Sequence, residues 1–248
     1  MNIWIMLSIV LMLVLIVLIS LIPFFLRLAK KQAEDAFLKF LLQNGFIHRV
    51  EDFKRFNQQA IPGGTVFVGD SITQEFQIHE FFPHQVMYNR GIGGDTTQGL
   101  LTRLEESVYG LKPKLVVLQM GTNDFPVLKL SPEQSLKNLQ LVVQQLLTAQ
   151  PTIKIVLVSV YPIHEPTLNF KRKVEEYRTN ARLRVINAGL KEIASVHFVN
   201  VFDLLLDAQG QLNMNFSRDG LHLNAKGYEV VAAAIAPWIN PGKAKTKD

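Results

Sequence analysis

The sequence predicts an α/β protein: a three-layer α/β/α sandwich on a parallel sheet of about five strands, preceded by an N-terminal transmembrane helix. Three observations predict it. Short β-rich runs alternate with helix-length segments from Thr65 onward. Two of those runs, 114–120 and 153–162, are apolar for much of their length, as strands buried on both faces are. The chain also opens with a stretch from Ile3 to Leu26 that holds no charged residue.

Within that first stretch only Ser8, Ser20 and Pro23 interrupt an apolar run. As a helix it would be roughly 36 Å long, against a hydrocarbon core of about 30 Å. A cleaved signal peptide would place basic residues before an apolar stretch of about 7–15 residues and a small-residue cleavage site after it. No Lys or Arg precedes this run, and "IPFFLRLAKK" offers no such site. The expectation is an uncleaved single-pass anchor over residues 1–27. Arg27, Lys30 and Lys31 follow the span, and the positive-inside bias then puts the rest of the chain on the cytoplasmic side. The extracytoplasmic side stays open.

Residues 28–62 are expected to form an amphipathic helical connector, packed on the domain or lying near the membrane, since Phe37, Leu38, Leu41 and Leu42 recur at helical spacing among charges. "IPGG" at 61–64 punctuates the chain, so the compact domain is expected at 63–240. Its strands are read at 65–69, 85–89, 114–120, 153–162 and 196–200. Its helices are read at 72–81, 96–107, 132–149, 170–194 and 225–238. Ser131-Pro132-Glu133 gives one helix start a capping residue, a first-turn proline and an acid at the positive end of the dipole. A basic tail is read at 241–248.

Composition excludes some chemistry. The chain has no cysteine, which removes disulfides, thiolate metal sites and a cysteine nucleophile. The net charge of +5 sits partly beside the anchor and in "GKAKTKD". Attraction to anionic lipid headgroups accounts for it, and no interleaved aromatic and basic pattern points to nucleic acid.

In a parallel α/β sheet, ligands bind beyond the carboxyl ends of the strands. The loops there hold Gly69-Asp70-Ser71, then "RGIGGDTTQ" (90–98), Gly121-Thr122-Asn123-Asp124, "YPIHEP" (161–166) and "RDGLHLN" (218–224). A serine hydroxyl needs a base to take its proton, and that base is usually a histidine held by a carboxylate. Asp219 and His222, three residues apart, allow one ring nitrogen to meet the carboxylate while the other faces outward. Taken singly, Ser71 also fits a turn residue closing a buried strand, and Asp219-Gly220 a simple turn. An acyl-transfer oxyanion needs hydrogen-bond donors; Gly93-Gly94, the Asn123 amide and the Ser71 N–H can supply them. "GIGG" lacks the lysine and spacing of a phosphate loop. His164 is the rival base, with only Glu165 beside it, while His79 and His84 read as structural or surface residues. Asp70 and Asp95 are expected to hold loop backbones. No His and acidic residues have metal-ligand spacing, so neither metal nor cofactor is expected.

In order, "GDSITQ", "NRGIGGDTT", "GTND" and "DGLHLN" each follow a predicted strand, and together they resemble the SGNH hydrolases, or GDSL-type esterases and lipases. The resemblance spans Gly64 to about Trp238. "GIGGDTTQ" is particularly similar to the branch holding the platelet-activating-factor acetylhydrolase catalytic subunits. It implies an SGNH, flavodoxin-like fold and a carboxylic ester hydrolase needing no cofactor. It implies Ser71 as nucleophile, His222 as base, Asp219 as the orienting acid, and Ser71, Gly94 and Asn123 as oxyanion donors. Isoleucine at position 72 replaces the leucine of GDSL, a conservative apolar change that affects packing only. Substrates consistent with the resemblance are lipids, thioesters, small acyl esters and acetylated sugars, and a non-catalytic binding module of the same fold is the alternative. Oligomeric state is left open.

Overall fold

The computed structural model describes residues 2–171 and 177–240. The chain divides into two compact units, Met1–Gly45 and Phe46–Asp248. The first unit consists of most of helix α1 (Ile3–Asn57), which contains Pro23. By length and composition α1 can cross a membrane: one 18-residue window has a mean hydropathy of 3.3 and no buried share. Residues 3–57 of the expected anchor and connector thus form one continuous helix.

The last turns of α1 belong to the second unit. Phe53 is 1% exposed, and the Asn57 side chain donates to the Glu106 carbonyl at 2.7 Å. The guanidinium groups of Arg49 and Arg90 lie over the Phe53 ring at 4.9 and 4.7 Å. Residues 46–57, the end of the expected connector, therefore pack on the domain.

The core of this unit is a sheet of five parallel strands: β1 (Thr65–Gly69), β2 (Met87–Gly91), β3 (Leu115–Gln119), β4 (Lys154–Val158) and β5 (His197–Val199). Their order is β2-β1-β3-β4-β5. Alternate residues point to opposite faces, as the strand period requires. Val66, Val68, Val116 and Leu118 enter one core with α4 (Thr97–Leu101), α5 (Leu104–Ser107), α7 (Pro132–Ala149) and α9 (Asn180–Lys191). Phe67, Leu115, Val117, Val156 and Val158 enter the other, with α2 (Ser71–Gln74), α3 (Ile78–Phe81) and α10 (Ala225–Ile239). Two short helices, α6 (Asp124–Leu128) and α8 (Glu165–Lys171), follow β3 and β4. Each fully buried Val, Leu, Ile or Phe contributes about 1.5–3 kcal/mol relative to exposure, so β3, buried along its whole length, is a firm base for the loops above it.

The α/β/α architecture and the parallel sheet are as the sequence predicts. Details differ for physical reasons. The segments 72–81 and 96–107 each form two short helices rather than one. β4 stops at Val158 because the N–H and C=O of Val160 are taken by the Asn187 side chain at 2.8 and 2.9 Å. β2 begins at Met87, two residues later than read, and pairs Arg90-Gly91 with Val68-Gly69. The start of α7 is stronger than expected: Ser131 and Gln134 form a reciprocal capping box. Residues 172–176 of the predicted 170–194 helix, and the tail 241–248, lie outside the described residues.

From β1 the chain steps outward to β2, then returns across β1 to β3 on its other side. That reversal opens the crevice between the carboxyl ends of β1 and β3, where open α/β sheets bind ligands.

Candidate active site

β1 ends at Gly69, a position that must be glycine because a side chain there would collide with Thr73 Oγ1 and the Gln119 carbonyl. Asp70 then caps α2, accepting from the Ile72 N–H at 3.0 Å, and Ser71 is the first residue of that helix. Full burial pushes the Asp70 carboxyl up to about 7; the Ile72 hydrogen bond and the Arg178 charge offset this only in part.

Ser71 Oγ lies 3.0 Å from His222 Nε2, and His222 Nδ1 lies 2.8 Å from Asp219 Oδ2. The three predicted residues thus form one hydrogen-bonded chain. Asp219 Oδ1 also accepts from the N–H groups of Leu221 and His222, at 2.9 and 2.8 Å. Partial burial works to raise the Asp219 pKa, but the hydrogen bonds from the His222 ring and these two amides outweigh it and hold the carboxylate at about 2. An ionised carboxylate only accepts, so the ring proton sits on Nδ1 and Nε2 faces the serine hydroxyl as an acceptor.

The loop carrying this pair is folded on itself. Ser217 Oγ accepts from the Gly220 N–H and donates to the His222 carbonyl, both at 2.9 Å. Two contacts join the loop and the helix after it to α2: an Arg218–Glu75 ion pair, and a 2.7 Å hydrogen bond from the Tyr228 hydroxyl to the Ile72 carbonyl.

On the other side of Ser71 the 92–95 loop turns at Gly94, whose φ of 74° favours glycine. Gln74 of α2 holds this loop by accepting from the Gly93 N–H at 2.7 Å. Among the described residues the N–H groups of Ser71 and Gly94 make no hydrogen bond. Asn123, just after β3, donates from Nδ2 to the Asp95 carbonyl at 2.9 Å, which leaves its second amide hydrogen.

Asp95 holds the loop, as expected of it, accepting from Thr96 N–H and from Arg103 Nε, each at 2.8 Å. Arg103, 0% exposed, also donates to the carbonyls of Gly69 and Arg90 at 2.9 Å, tying the ends of β1 and β2 together. Asp124 accepts from the Thr97 N–H at 2.8 Å and from its hydroxyl, joining the second and third motif loops. Arg178 donates to the Thr122 carbonyl at 3.0 Å and to Asn123 Oδ1 at 2.9 Å. Sequence reading missed Arg103, Arg178 and Tyr228, which sit in helical or loop stretches with no local motif, and gave no role to Gln74, the last residue of "GDSITQ". His164 is kept apart from the serine: its ring bonds Thr167 Oγ1 at 2.7 Å and its N–H donates to the Gly220 carbonyl. His79 and His84 are exposed. Among the described residues no three His, Asp or Glu side chains converge as metal ligands.

Residues 67–230 match the family model of the GDSL-like lipase/acylhydrolase family. The chain belongs to that family. It is 30% identical over 181 residues to platelet-activating factor acetylhydrolase IB subunit alpha2 of Rattus norvegicus, covering 70% of this chain and 75% of that protein. A Streptococcus pneumonia structure described as a candidate platelet activating factor superposes with a TM-score of 0.76 at 27% identity, covering 84% of this chain and 99% of that one. A GDSL-like lipase from Bacteroides thetaiotaomicron gives 0.67 at 26% identity, covering 77% and 97%. Membership makes the protein an acylhydrolase, a serine hydrolase that cleaves ester bonds.

Proposed function

We propose that the chain is a membrane-anchored carboxylic ester hydrolase working through a Ser71–His222–Asp219 triad and an acyl-enzyme. The observation that carries this is the continuous chain of contacts from Ser71 Oγ through His222 to Asp219, at 3.0 and 2.8 Å, beside two free backbone N–H groups. Ser71 attacks the acyl carbonyl while His222 Nε2 takes its proton, and Asp219 fixes the tautomer and stabilises the imidazolium. The N–H groups of Ser71 and Gly94 and the Asn123 amide receive the oxyanion. The imidazolium then protonates the departing alcohol, and water repeats the sequence on the acyl-enzyme.

The apolar part of α1 serves as the single-pass anchor, and Arg27, Lys30 and Lys31 after it favour a cytoplasmic domain. An anchored hydrolase meets lipid or other acylated molecules at the bilayer surface, and the similarity to an acetylhydrolase subunit fits a short acyl group. A fluorophosphonate probe tests the reading. Wild type should be labelled and Ser71→Ala should not; equal, negligible labelling of both would sink the hydrolytic mechanism. A series of p-nitrophenyl esters of rising chain length then measures the acyl pocket.

A further inference from the structure

A carboxamide has one donating end and one accepting end, and only the donating end helps an oxyanion. Asn123 is met by partners of opposite kind at the two ends. Arg178 Nη2 donates to Oδ1 at 2.9 Å, and a guanidinium has no acceptor, so the atom it meets must be oxygen. Nδ2 donates to the Asp95 carbonyl at 2.9 Å, which cannot itself donate. Together these fix which way the amide is flipped. The same guanidinium donates from Nε to the Thr122 carbonyl at 3.0 Å, so one rigid fork grips the Asn123 side chain and the backbone before it. Asn123 and Arg178 are 6% and 4% exposed, which keeps water from competing for these bonds. A charge-assisted bond onto Oδ1 also polarises the amide and strengthens its N–H groups as donors.

We infer that Arg178 is a positioning residue for ester hydrolysis: it holds the Asn123 carboxamide with its free N–H toward the reacting carbonyl oxygen. This rests on Asn123 being an oxyanion donor, as proposed above. Arg178 acts through Asn123, on the transition state rather than on substrate binding.

The test is a double-mutant cycle on the full-length protein in detergent micelles, with p-nitrophenyl butyrate as substrate. Arg178→Met should lower kcat about 10- to 100-fold with KM changed less than about 3-fold. Arg178→Lys, which keeps the charge and one donor, should recover part of the loss. In an Asn123→Ala background, Arg178→Met should cost less than about 3-fold further. Losses that multiply in the double variant would show an effect not routed through Asn123 and overturn the inference, as would an Arg178→Met enzyme with wild-type kcat. If Asn123→Ala alone leaves kcat unchanged, the oxyanion assignment itself fails. Should Arg178→Met lose its folded circular dichroism, Arg178→Gln, which keeps a neutral donor but not the charge, takes its place: its loss in kcat should be smaller than about 10-fold and should vanish in the Asn123→Ala background, and a loss that persists there overturns the inference.

Discussion

Two acid–base pairs flank Ser71, and they are built by opposite means. Asp95 and Arg103 have side chains 2% and 0% exposed, whereas Asp219 and His222 stand at 41% and 24%. The buried pair joins β1, β2 and the helix after β2 through carbonyls of distant segments. The exposed pair is local, three residues apart, and is ordered by its own loop's turns. Burial of an ion pair is costly unless hydrogen bonds satisfy it, and Arg103 meets that condition with Asp95, Ser107 and two backbone carbonyls. The difference teaches that, in the proposed mechanism, the half of the site that would receive charge is part of the core, while the half that would move a proton is an attachment to it.

Three substitutions break or sharpen that contrast. The largest effect belongs to the exposed pair and falls on rate: His222→Ala should reduce kcat at least about 10³-fold while the melting transition barely moves. If His164→Ala does this and His222→Ala does not, the base is misassigned. Next comes the buried pair, where the effect falls on stability. Arg103→Met leaves Asp95 uncompensated and should cost about 3–5 kcal/mol in denaturant unfolding. A loss under about 1 kcal/mol, the range of surface pairs, would erase the contrast.

The third concerns Asp70, buried between the two halves, with one carboxyl oxygen lacking a hydrogen bond among the described residues. Its folded pKa, about 7, lies above the ordinary carboxylate value of 3.8. A raised carboxyl pKa contributes stability fully present below the unfolded value and lost as pH rises through the folded one. Asp70→Asn, which can still cap α2, should therefore match wild type near pH 4 and exceed it by about 1–3 kcal/mol above pH 7. Parallel urea curves at pH 4 and pH 8 decide it, and an unchanged difference would remove Asp70 from the account.

These residues also show what the sequence could disclose. Ser71, Asp219 and His222 each also fit a simple turn taken singly; they were legible because their motifs follow predicted strands in an order that resembles a known family. Arg103 and Arg178 were not, because a buried arginine and a surface one look alike within a helical or loop stretch. Only the carbonyls and acids that other segments bring to them tell the two apart. β2 was misplaced by two residues for a related reason: Arg90 reads as a polar break, yet its guanidinium lies on the rings of Phe53 and Tyr88. The long helices at 132–149 and 225–238 were read nearly in full, since a wide apolar stripe outlasts local irregularity. The short turns around Phe76 and Thr102 were not, for each is ended by a backbone bond that no periodicity encodes.

Phe53 and Asn57 also set where this enzyme can be cut free of its long apolar helix. Cutting at the "IPGG" punctuation would strip Arg90 of one of the two rings it lies on and leave the Glu106 carbonyl without the Asn57 amide. A chain beginning at Phe46 keeps both, and with them the strand that carries the Gly94 loop. The last turns of a helix that begins as an apolar rod are thus part of the scaffold on which the catalytic domain folds.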